Sequence, residues 1–241
     1  MGIVKHIPNT ITSMNLLCGA MGVIYAMRGG MDIAFSLMLI AAVFDFCDGL
    51  AARLLGSYSP IGKELDSLCD MVSFGLLPSI MLVVTMHLHG SEGWFIYLPL
   101  FLAVMSAVRL AKFNVDDRQT TDFLGVATPT SAIICGALAC YIKMEPVSAL
   151  AVWAGTFWFI PAVALVLGLL LVSEIPMFGM KVKKGHKLLD AKRILFLTVA
   201  VVALVITFIF KLHLSFTLLA IFTFYLFENL VIWIYSKLSK V

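Results

Sequence analysis

The chain has 241 residues, 61% of them hydrophobic and 13% charged, with a mean hydropathy of +1.03. Such a composition excludes a water-soluble globular fold. With a net charge of only +3 and no soluble domain to carry a basic face, it also gives no basis for nucleic-acid binding.

Eight stretches are long and apolar enough to cross a bilayer, roughly 10–28, 32–55, 64–87, 94–114, 125–143, 146–172, 191–211 and 214–236. Backbone groups exposed to hydrocarbon must pair within their own segment, and these segments are too long for barrel strands. The expected fold is therefore all-α, a polytopic transmembrane helical bundle of about eight spans forming one domain over residues 1–241. MGIVKHIPNT has no apolar run before Thr10, so the first span is expected to act as its own insertion signal. If the N-terminus is cytoplasmic, only Arg28, Lys143 and Lys211 of the 17 Lys and Arg fall on the far side. That positive-inside bias predicts both termini, and the 49–65 connection, in the cytoplasm and the chain in the cytoplasmic (inner) membrane.

Along the chain, polar residues interrupt the apolar spans at few places. Thr12 and Asn15 lie three apart on one face of the first helix. Asp45 and Asp48, near the end of the second span, share a face, as do Asp66 and Asp70 at the start of the third. His87 and His89 read as residues of an outer turn. Glu174 and Pro176 mark the end of the sixth span, and KVKKGHKLLDAKR (181–193) is a basic loop suited to anionic lipid. Glu228 and Asn229 lie deep in the last span, and nothing in the sequence accounts for them. The five cysteines form no CxxC pair and read as packing residues, and no internal repeat is evident.

The four aspartates dominate this pattern. Pro60, Gly56 and Gly62 turn the chain between the second and third helices, so the two acidic faces are expected to meet at one depth. An ionised carboxylate within a span costs about 2.5–3.5 kcal/mol, and four together also repel one another. Arg53 alone cannot neutralise them, whereas hard divalent cations can. Carboxylate oxygens suit Mg²⁺, Mn²⁺ or Ca²⁺, and two ions bridged by some of the acids account for the number of acids. Gly49, Ala51, Ala52 and Gly56 remove bulk beside the acids and leave room for a ligand. Metal-polarised phosphoryl oxygens, with a carboxylate to take a proton from a hydroxyl, amount to phosphoryl-transfer chemistry. A cation or proton pathway is the competing reading, but its acids belong near the midplane rather than at one end.

Asp45-x-x-Asp48-Gly49-x-x-Ala52-Arg53, eight residues, then Gly62-x-x-x-Asp66-x-x-x-Asp70 resembles the complete signature of the CDP-alcohol phosphotransferases. The resemblance implies attack by an alcohol on the β-phosphate of a CDP-linked lipid, with CMP leaving. It implies that Asp45, Asp48, Asp66 and Asp70 hold two metal ions, with Asp70 also the general base. Gly49 and Ala52 would line a cytidine pocket, Arg53 would contact the donor phosphates, and Ser59 would stand near the donor. A homodimer is common in such a family.

Three further stretches are similar to the phosphatidylserine synthase branch of that family: IPNTITSMNLLCGAMG (7–22), RLAKFN (109–114) and GVATPTSA (125–132). They imply CDP-diacylglycerol and L-serine as substrates, with Asn15 on the donor side and Arg109 and Asn114 on the acceptor side. Lys112 stands where that branch commonly has Arg, and Ala127 replaces a proline. An acceptor such as glycerol 3-phosphate or an inositol phosphate would call for more cationic side chains in the cleft. A guanidinium such as Arg109 suits the serine carboxylate.

Overall fold

A computed structural model describes residues 6–116, 123–178 and 191–239. Lys5, Arg118 and the basic stretch 181–190 lie outside the described residues. Ten α-helices dominate the described residues: α1 (Ile7–Met27), α2 (Met31–Leu54), α3 (Pro60–Asp70), α4 (Leu77–Leu88), α5 (Phe101–Val115), α6 (Thr128–Met144), α7 (Ala149–Ala154), α8 (Phe159–Val172), α9 (Ala191–Phe210) and α10 (Leu214–Leu238). The bundle expected from composition is present. Among the described residues, six helical stretches, Ile7–Met27, Met31–Leu54, Pro60–Leu88, Trp94–Val115, Lys192–Phe210 and Leu214–Leu238, are long and apolar enough to cross a membrane.

The other two expected stretches are helical but shorter. α6 has 17 residues and is the most enclosed helix, packed on α2, α4 and α10. The anticipated 146–172 helix is broken into α7 and α8 by a turn at 155–158. Gly155 ends α7, and Pro161 can neither donate an N–H nor pass through a helix interior, so α8 begins just before it. One departure from an all-helical chain is a two-residue strand pair, β1 (Phe123–Leu124) antiparallel to β2 (Pro176–Met177). Gly125 follows β1 at φ +74, where a Cβ would lie 2.6 Å from the carbonyl oxygen of Leu171.

α1 packs along α2 and also touches α3 and α4, which gathers the polar residues of three helices at the end of the bundle that carries the α2–α3 turn. Ser59 caps α3 by accepting from the Gly62 N–H at 3.0 Å, and Pro60 supplies a preset first residue. α3 and α4 form one continuous rod, joined by a π-helical segment, Met71–Leu76. Pro78, in the first turn of α4, offers no N–H to the preceding turn and would crowd its carbonyl. Widening that turn to π spacing relieves both problems.

Candidate active site

The two acidic faces meet as the spacing predicts, with one refinement. A carboxylate oxygen from each of Asp45, Asp48 and Asp66 lies within 4.8 Å of the other two. Asp70 is not part of that trio. It is buried as well, 8% exposed, and interacts electrostatically with Asp45 and Asp66. Asn15 Nδ2 donates to Asp70 Oδ1 at 3.1 Å, and the Thr12 hydroxyl donates to Asp48 Oδ2 at 2.5 Å. Thr12 and Asn15, both buried, thus each bond one of the aspartates.

The close approach of α1 makes this possible. Gly19 lies against the π segment, where a Cβ would fall 2.8 Å from Ser73 Cα. One turn earlier on α1, the Asn15 carbonyl accepts from the Ser73 hydroxyl at 3.0 Å. Ser73 thus fixes the main chain of Asn15 while Asn15 orients Asp70. Ser73 escaped notice in the sequence, although its place three residues after Asp70 put it on the same face.

The trio fits a hard divalent cation. Every donor is a carboxylate oxygen, and Asp45 and Asp66 interact electrostatically with each other. Two carboxylates about 4 Å apart repel by about 4 kcal/mol at an effective dielectric of about 20, so bare juxtaposition is unfavourable. Asp66 Oδ1 is buried with no hydrogen-bond partner among the described residues. An oxygen left in that condition is suited to a metal ion.

A cavity of about 480 Å³ opens beside the trio, lined by Thr12, Asp48, Gly49, Ala52, Ser59 and Asp66 among others. At Gly49 a Cβ would meet nothing within 4 Å, so the glycine keeps the cleft wide beside the acids. Three of the five expected donor-side residues, Gly49, Ala52 and Ser59, therefore border this cavity. Asn15 lies behind the acids, and Arg53 is exposed, its Nε donating to the Gly49 carbonyl at 2.9 Å along its own helix.

Arg109 is 8% exposed and interacts electrostatically with Asp70 and Asp45. Its Nη1 donates to the Thr128 hydroxyl at 3.0 Å, and its guanidinium lies 5.4 Å from the Phe113 ring centroid. It also lines a second cavity of about 310 Å³, with Lys112, Asp116, Ser173 and Glu174 in its wall. Arg109 thus borders both the acids and this second space. Thr128, in the GVATPTSA stretch, is the partner that the sequence did not single out.

Asn114 is engaged elsewhere. Its Nδ2 donates to Ser67 Oγ at 3.0 Å and Glu64 Oε2 at 3.4 Å, and its main-chain carbonyl accepts from Lys63 Nζ at 2.8 Å. These bonds tie the end of α5 to the flank of α3, and Asn114 lines neither cavity.

Residues 5–172 match the family described as CDP-alcohol phosphatidyltransferase. The chain is 32% identical over 188 residues to a CDP-diacylglycerol–serine O-phosphatidyltransferase of Mycobacterium leprae (strain TN), covering 75% of this chain and 59% of that protein. A protein with the same name from Bacillus subtilis (strain 168) is 33% identical over 125 residues, 52% of this chain and 70% of its own. An archaetidylserine synthase of Methanothermobacter thermautotrophicus is 29% identical over 133 residues, 53% of this chain and 54% of its own. The chain spans about three fifths of the length of the mycobacterial relatives it matches.

Proposed function

Since the chain belongs to the CDP-alcohol phosphatidyltransferase family, we propose that it transfers the phosphatidyl group of CDP-diacylglycerol to the hydroxyl of L-serine, releasing CMP. The observation that carries this reading is Arg109, buried between the aspartates and a second cavity. A guanidinium held there suits the carboxylate of an amino-acid acceptor, and relatives named for serine transfer accord with it.

In this reading Asp45, Asp48 and Asp66, with Asp70 behind them, hold two divalent cations, Mg²⁺ or Mn²⁺. Bound there, the ions would neutralise the acids and polarise the phosphoryl oxygens. Thr12 and Asn15 fix the orientation of Asp48 and Asp70. Gly49 and Ala52 leave space for the nucleotide, with Ser59 at the edge of the same cleft. Arg53, exposed beside it, swings from its own helix to the donor phosphates.

Arg109 and Thr128 seat the acceptor carboxylate so that the serine hydroxyl reaches the phosphorus bonded to the diacylglycerol oxygen. A new P–O bond forms to the serine oxygen, the bond to the CMP oxygen breaks, and Asp70 takes the hydroxyl proton. The donor's acyl chains reach the cleft from the bilayer, while serine enters and CMP departs on the aqueous side. The distribution of Lys and Arg supports placing this end, and both termini, on the cytoplasmic side.

The test is CMP release by the purified, reconstituted protein given CDP-diacylglycerol, Mn²⁺ and, in separate reactions, serine, glycerol 3-phosphate or an inositol phosphate. Serine-dependent CMP with a phosphatidylserine product is the expected result. CMP release only with a phosphorylated acceptor would overturn the choice of serine. Release with none of the three, together with ion flux through the liposomes, would overturn the enzymatic reading.

A further inference from the structure

Glu228 and Asn229, unexplained by the sequence, are buried on α10, and Asn229 lies about 14 Å along the helix from its end at Leu238. Asn229 faces the segment leaving α8, residues 173–178. The main chain of Phe178 is held on both sides. Its N–H donates to Asn229 Oδ1 at 2.9 Å, and its carbonyl accepts from the Tyr225 hydroxyl at 2.9 Å. Asn229 Nδ2 donates to the Tyr225 carbonyl at 2.8 Å, which fixes the carboxamide itself.

The Phe178 ring, 3% exposed, packs edge-on against Tyr225 at 5.1 Å and Phe196 at 6.2 Å. Lys192 Nζ lies 5.5 Å from the centre of that ring and interacts electrostatically with Glu228. Polar groups of α9 and α10 therefore converge on one residue of the connecting segment. Such a concentration inside a membrane helix is costly unless it serves a purpose.

The other edge of that segment reaches the second cavity. β2 pairs with β1, the Gly125 N–H donates to the Ile175 carbonyl at 2.9 Å, and Ser173 and Glu174 stand in the cavity wall with Arg109. A two-residue strand pair holds a wall poorly by itself. We propose that Asn229 and Tyr225 are positioning residues for the acceptor: by clasping Phe178 they set Ser173 and Glu174 in the cavity wall with Arg109, and so set acceptor affinity. The inference rests on the reading that this cavity receives the acceptor. Both residues lie beyond position 172, where the family match ends, so the C-terminal hairpin contributes to a site otherwise built from the family core.

The experiment uses full-length reconstituted protein with Asn229→Ala or Tyr225→Phe. Tyr225→Phe keeps the ring cluster and removes only the hydroxyl, which guards against simple misfolding. Thr207→Val is the control, because Thr207 bonds Thr217 at the opposite end of the same hairpin. Losing one such hydrogen bond should raise the apparent KM for serine about 3- to 10-fold, with kcat and the KM for CDP-diacylglycerol little changed. Hydrogen exchange should quicken at the Phe178 and Gly125 amides in both variants and stay unchanged in the control.

Equal shifts in both KM values would overturn the proposal, as would unaltered exchange or a control that behaves like the variants. Should the unmodified protein fail to use serine, the acceptor reading falls by itself. Exchange, together with the KM of whichever acceptor does release CMP, then decides the clasp: loosening with a raised KM upholds it, and neither overturns it.

Discussion

Replacing Thr12 with Val tests whether α1 acts on the aspartates or on a ligand. Thr12 is 3% exposed and its hydroxyl donates to Asp48 Oδ2 at 2.5 Å, while also lying 3.0 Å from the Pro8 carbonyl. One hydroxyl hydrogen serves the closer, charged acceptor. Valine keeps the branched shape but leaves that carboxylate oxygen without its donor. A hydrogen bond to a charged group is worth about 1.5–3 kcal/mol, and groups that orient metal ligands change metal affinity about 10- to 100-fold.

These ranges agree, since about 1.4 kcal/mol corresponds to a factor of ten. The expected outcome is therefore a rise of about 10- to 100-fold in the Mn²⁺ concentration giving half-maximal activity, with kcat recovered at saturating Mn²⁺. Titration of CMP release against Mn²⁺ measures both, and electron paramagnetic resonance of bound Mn²⁺ gives the affinity without turnover. Thr12→Ser, which keeps the hydroxyl, should behave like the unmodified protein. An unchanged Mn²⁺ requirement alongside a raised KM for CDP-diacylglycerol would refute the assignment and make Thr12 a donor contact.

Asp70→Asn should lower kcat at least about 100-fold, as loss of a general base does, while CDP-diacylglycerol binding measured by equilibrium dialysis changes little. Arg109→Lys keeps the charge facing Asp70 and Asp45 but loses the planar fork. The KM for serine should rise about 10- to 100-fold with the Mn²⁺ requirement unaltered; an unchanged serine KM would remove Arg109 from the acceptor site. Gly19→Ala places a methyl carbon against Ser73, 2.8 Å from its Cα. It should lower the thermal midpoint in detergent by an amount corresponding to about 1–3 kcal/mol and weaken Mn²⁺ activation as well, because Asn15 is carried on the same face.

The aspartate face pairs were legible because helical periodicity converts spacings of three and four directly into shared faces, and because acids are conspicuous in an apolar chain. Gly49 and Ala52 were legible as missing bulk. What escaped depends on distant segments meeting. Asn114 reads as well as Arg109 in RLAKFN, yet only Arg109 turns inward, since one helix cannot direct both toward the same space. Ser59 looked like a donor-side hydroxyl and is also the cap of α3, a role signalled by the proline that follows it. The grip of Asn229 and Tyr225 on Phe178 joins residues 51 and 47 positions apart, and no local pattern marks such a pair. Pro161 and Gly155 did signal the break between α7 and α8, but the surrounding apolar residues masked it.

The π segment between Asp70 and Leu77 gives the two halves of a 29-residue rod different rotational phases. The half before it is phased by the aspartates, and the half after it by packing against α6. An uninterrupted α-helix would lock these demands to a single phase, so that the packing of the far end would carry Asp66 and Asp70 off the face toward Asp45. Deleting one residue between Met71 and Leu76 would restore that lock. The offset thus lets one rod present its acids to α2 and, a few turns on, its core residues Met81 and Met86 to the rest of the bundle.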